Sequence, residues 1–113
     1  MTSTDDFYAL EGVAEKALHY LKDTDSEAAK LKANVAYLDE HRKIVKAQEF
    51  LKCDGPIGIR EQMAIASKSY EQAVLALQLG TEQYEVVKNR RFSAEQQIEI
   101  WRSENANRRK GNV

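Results

Sequence analysis

Apolar positions fall along this chain at helical spacing from one end to the other. Phe7, Leu10, Ala14, Ala17 and Leu21 make one stripe. Ala28, Leu31, Val35, Leu38, Val45 and Phe50 or Leu51 make a second, interrupted by Arg42. The third is the most regular. Met63, Tyr70, Leu77 and Tyr84 recur every seven residues, with Ala66, Ala73 and Gly80 between them and Val87 following. Alternating large and small side chains let a second helix approach closely while still burying apolar area, the pattern of helix-on-helix packing. A last stripe holds Ala94, Ile98 and Trp101.

These stripes predict four helices. The first covers about 5–22, capped by Ser3 or Thr4, with Asp5 and Asp6 at the positive end of its dipole. Asp23-Thr24-Asp25-Ser26 reads as a break, with Thr24 and Glu27 at capping-box spacing. The second helix runs about 26–53. Asp54-Gly55-Pro56-Ile57-Gly58 concentrates two glycines and the chain's single proline, which predicts a reversal. The third helix covers about 59–91. Ser93 to Gln96 has capping-box form and predicts a fourth, fading after Ala106 into a basic, frayed tail over 108–113. The expected fold is an all-α single domain spanning residues 1–113: a long antiparallel hairpin of about 26–53 and 59–91, with shorter N- and C-terminal helices, in an oligomeric helical bundle.

The expectation of an oligomer rests on Ile65, Leu75, Leu79 and Val86, which lie off the seam of Met63, Ala66, Tyr70, Ala73, Leu77, Gly80, Tyr84 and Val87. One partner helix cannot cover a helix that is apolar on several sides. Either the flanking helices fold back over it or a second protomer does, and self-association is the reading preferred. On that reading Gly80 is a close-approach position, and Gly80→Leu is expected to disrupt packing.

Composition adds little beyond solubility. The apolar fraction is 42%, the charged fraction 31% and the net charge −1. Charge is distributed unevenly, however. Residues 1–40 carry nine acids against four bases, and residues 88–113 carry three acids against seven bases. The lone Cys53 excludes an intrachain disulfide and fits a reducing compartment. No signal peptide and no membrane-length apolar run is visible, so a cytoplasmic location is expected.

Candidate chemistry is sparse. Glu15 and His19 are four apart, but a di-iron bundle needs Glu-x-x-His twice with further glutamates. Glu82 and Glu85 make one Glu-x-x-Glu pair, Glu95 and Glu99 are four apart, and Asp39-Glu40 are adjacent. Such spacings arise by chance among 18 acids. Cys53 sits at a helix C-terminus, where the dipole disfavours a thiolate. No catalytic residues, metal, cofactor or small-molecule substrate are expected, so the chain reads as a non-enzyme. The remaining candidate is the basic end. Lys88, Arg90, Arg91, Arg102, Arg108, Arg109 and Lys110 lie near Phe92 and Trp101, offering phosphate contacts and an aromatic to stack on an unpaired base. The alternative is a solvated positive end that pairs with the acidic N-terminal half.

The stretch from Ile98 to Arg109, Ile-Glu-Ile-Trp-Arg-Ser-Glu-Asn-Ala-Asn-Arg-Arg, resembles the C-terminal end of small helical proteins encoded by tailed bacteriophages, and residues 21–50 are similar to them in style. The resemblance carries no site or activity. It implies a phage or prophage accessory protein working near DNA replication or recombination. The functional expectation is therefore a self-associating helical assembly module with a protein partner or further copies of itself. The alternative is a DNA-binding accessory protein using the basic end.

Overall fold

The computed structural model describes residues 4–111, and all its regular structure is helical: α1 (Thr4–Lys52), α2 (Ile57–Ile65) and α3 (Lys68–Gly111). The predicted helix over 26–53 is the second half of α1, and the predicted fourth helix is the end of α3. Neither the break at 23–26 nor the one at 92–93 is present. Helix continues through the expected fraying point to Gly111. The expected cap Ser3 and the last tail residues, 112 and 113, lie outside the described part.

The burial pattern shows why α1 does not break. Its inward residues keep a strict three-four alternation: Phe7, Leu10, Ala14, Ala17, Leu21, Thr24, Ala28, Leu31, Val35, Leu38, Arg42 and Val45 are all buried or half-buried. Residues 23–26 contain weak helix formers, but Thr24 falls in phase. Its hydroxyl donates to the Tyr20 carbonyl at 2.7 Å instead of capping a new helix. Tertiary phase thus overrides local propensity. On α3 the same alternation runs Tyr70, Ala73, Leu77, Gly80, Tyr84, Val87, Arg91, Ala94, Ile98 and Trp101, and it passes through Ser93 without interruption. The period is about 3.5 residues, that of a coiled coil.

A break that the apolar pattern does not announce falls at Ala66-Ser67. The last turn of α2 tightens, with Ser67 N–H donating to Ala64 O at 3.2 Å. Ser67 Oγ then accepts from Tyr70 N–H at 3.2 Å and so caps α3. Passing this kink shifts the inward stripe by one residue. Carrying the phase of Tyr70 backward along one helix leads to Ala66 and Met63. The chain instead turns Ser67, Ala64 and Arg60 inward, with Ala64 fully buried, and leaves Met63 and Ala66 exposed. At the Gly-Pro cluster the helix ends as expected. Helix stops at Lys52, Gly55 takes a φ of +111°, and Pro56 leads into α2.

The chain divides into two compact units, residues 4–28 with 86–111, and residues 29–85. In the first, α1 and α3 run side by side in opposite directions: Phe7 meets Arg108, while Leu21, Thr24 and Asp25 meet Arg91. That register places Ala14 opposite Trp101, Ala17 opposite Ile98, and Leu21 opposite Ala94. Each layer pairs a large side chain with a small one, which keeps density high at a short interaxial distance.

In the second unit, α1 contacts both α2 and α3. Arg60 turns back over the end of α1, its guanidinium 4.2 Å above the Phe50 ring and 3.4 Å from the Phe50 carbonyl. Gly80 faces Leu38 and Asn34; a Cβ there would come within 2.7 Å of Leu38 Cδ1. Arg42, at an inward position, donates to Asp39 at 2.8 Å and to the Tyr70 hydroxyl at 3.4 Å. Among the described residues, only alanines, Val45 and Gly80 are buried, and no large side chain is fully so.

Candidate interaction surface

Helices packed along one stripe leave the apolar residues that lie off that stripe in solvent. Sixteen large hydrophobics among the described residues are exposed, and ten of them lie in residues 29–85. Five of those ten share one side of α1 and α3. In an antiparallel pair, residues just before alternate inward positions lie on the same side of both helices. The first unit shows this directly: Tyr20, preceding Leu21, and Arg90, preceding Arg91, line one groove with Lys16, Ser93 and Gln97.

The matching residues of the second unit are His41, preceding Arg42, and Ala76, preceding Leu77. Beside His41 stand Tyr37, Ile44 and Leu51, spaced seven apart, and beside Ala76 stand Leu75 and Leu79. All five large residues are exposed, Leu51 at 75% and Tyr37 at 62%. The Tyr37 and His41 rings stack at 5.5 Å, nearly parallel.

The opposite side is polar. It carries Lys32, Asp39, Lys43 and Lys46 of α1 with Glu71 and Glu85 of α3, and Val74 is its one exposed large hydrophobic among these helices. Asp39 anchors that side through Arg42 and, at 4.0 Å, Lys43. The hydrogen bond from Arg42 holds the Asp39 carboxyl below its usual range, and Asp39 and Tyr70 in turn raise Arg42.

The predicted seam residues thus part company. Tyr70, Ala73, Leu77, Gly80, Tyr84 and Val87 pack inward within the chain, whereas Met63 and Ala66 face solvent. The surface stripe of Tyr37, Ile44 and Leu51 is not among the sequence expectations. Its signal is a plain seven-residue spacing, hidden because in sequence Leu51, or Phe50, reads as part of the inward stripe.

The basic residues separate as well. Arg91 points inward, donating to Leu21 O and Thr24 Oγ1, both at 2.8 Å, and pairing with Asp25 at 3.3 Å. Arg102 pairs with Glu99 at 2.8 Å, and Arg108 lies 4.4 Å over the Phe7 ring. Trp101 is half-buried, its indole Nε1 buried and without a partner among the described residues. It borders a shallow groove of about 280 Å³ with Glu11, Leu18 and Ile98. Lys88 is exposed and engaged within the chain. Arg90, Arg109 and Lys110 are exposed and form no ion pair among the described residues, and Phe92 stands out at 60%.

Cys53 Sγ lies 3.2 Å from the Glu49 carbonyl, a local helix-end contact. No group of three or more metal-ligating side chains occurs among the described residues. No helix among them is long and apolar enough to cross a membrane. Comparisons with family models, curated proteins and solved structures find no match.

Proposed function

We propose that this chain is a non-enzymatic helical hairpin whose task is assembly: it binds other proteins, and first of all itself, through apolar helix faces. The observation that carries this reading is the excess of exposed apolar side chains over residues 29–85. Ten large hydrophobics face outward there, on two-layer helical packing that has no room for them inside. Exposed apolar surface in this amount, half of it on one side of α1 and α3, is the mark of an interaction site. The expected result is a weight-average mass above 12.9 kDa in sedimentation velocity, rising across micromolar concentrations. A single 12.9 kDa species at every concentration would overturn it.

A second reading, nucleic-acid binding by the C-terminal end, is supported by exposed Phe92 beside Arg90 and by the exposed Arg109 and Lys110. Against it stands the local charge. The seven bases of residues 86–111 are packed along residues 4–28, which carry seven acids and two bases, so the attraction for phosphate is largely offset. On the second reading, DNA binding weakens steeply with salt and is lost from Arg109→Glu/Lys110→Glu. Absent or salt-insensitive binding to single- and double-stranded DNA removes it. A role beside phage DNA replication or recombination would follow from that reading alone.

A further inference from the structure

We infer that the side of residues 29–85 formed by Tyr37, Ile44, Leu51, Leu75 and Leu79 is the contact surface for a second copy of this chain. The inference rests on the assembly reading and narrows it to one face and one occupant. Three observations support it.

The face is one-sided. Tyr37, Ile44, Leu51 and Leu79 lie here with Leu75 at the outer edge, whereas the opposite side of α1 and α3 has only Val74 and carries most of the charge. The face also has the size for the task. Covering the five side chains would remove roughly 600 Å² per copy from water, and their alanine and glutamine neighbours bring this near the ~800 Å² per partner of a standard stable interface.

The third observation selects the occupant. The charged residues on this side and along its outer edge are Lys30 and Glu40 on α1, Glu40 already paired with Lys43 at 3.1 Å, with Lys68 and Glu82 on α3: one base and one acid from each helix. A partner of strong single-sign charge gains nothing from a surface with no net charge. A second copy brings a surface that is equally neutral and carries both signs, so no net repulsion opposes the pairing. Twofold pairing requires such self-complementarity.

The test uses the full-length chain with substitutions at exposed positions, so that the fold is retained and checked by circular dichroism. Ile44→Glu/Leu79→Glu places charge on the proposed face, and Val74→Glu places it on the other. The expected result is self-association weakened about a hundredfold or more by the first change and unaltered by the second. If both variants associate like the unmodified chain, or if Val74→Glu alone dissociates it, the face is wrong while the assembly reading stands. If the unmodified chain is itself monomeric, the assembly reading fails, and this inference with it.

Discussion

Gly12 and Gly80 both lie inside long helices, yet their surroundings differ. A Cβ at Gly12 would meet no atom within 4 Å, whereas one at Gly80 would press on Leu38 and Asn34. Gly12→Ala is expected to stabilise the chain by about 1 kcal/mol, because helix propensity rises with nothing to displace. Gly80→Leu is expected to destabilise it by roughly 1–3 kcal/mol through overpacking. Thermal melts of the two variants check both directions, and a rise for Gly80→Leu would show that α1 and α3 are not in close approach there. Asp39 responds to pH instead. Its carboxyl is depressed in the folded chain by the Arg42 hydrogen bond. The stabilisation is therefore present above the unfolded value of about 4 and is lost as pH falls through the lower folded value. The difference in melting temperature between the wild type and Asp39→Asn is expected to shrink as pH drops from about 5 towards 2. The effect is small because the pair is partly open to solvent. A constant difference would mean that the carboxylate charge is not what Arg42 uses.

Among the helices, periodicity makes the elements legible but not all of their ends. The Gly55-Pro56 break is readable because it depends on local chemistry: a positive φ and a residue without an N–H. The breaks expected at 23–26 and 92–93 rest on capping residues that are real signals in isolation. The phase of their neighbours overrules Thr24 and Ser93, and the clamp from Arg91 to Leu21 and Thr24 cannot be seen from either helix alone. The break at Ala66-Ser67 is the converse case. It lies within an unbroken apolar pattern, and its signal, Ser67, is no stronger in the sequence than Ser26 or Ser93, which lie inside helices. Ser67→Ala is expected to cost about 1 kcal/mol by removing the cap of α3. If melting is unchanged, the kink is held by packing of Ala64 rather than by the cap.

For the chain as a whole, the all-helical class follows from periodicity, and so does the presence of surplus apolar surface. The location of that surface does not. The inward and outward stripes share the same spacing on α1, offset by a single residue: Leu38 and Val45 pack, while Tyr37 and Ile44 stand exposed. Only the packed partner distinguishes them. The basic end shows the same limit. Proximity in sequence groups Arg91, Arg102 and Arg108 with Arg109 and Lys110, although the first three are engaged within the chain.

If apolar faces rather than charges hold copies of this chain together, their association must survive salt. Light scattering of the species eluting from a sizing column, at low and at high salt, reads this out without any substitution. A dimer or larger assembly is predicted at both, because hydrophobic burial is not screened. A mass of 12.9 kDa at both would contradict it.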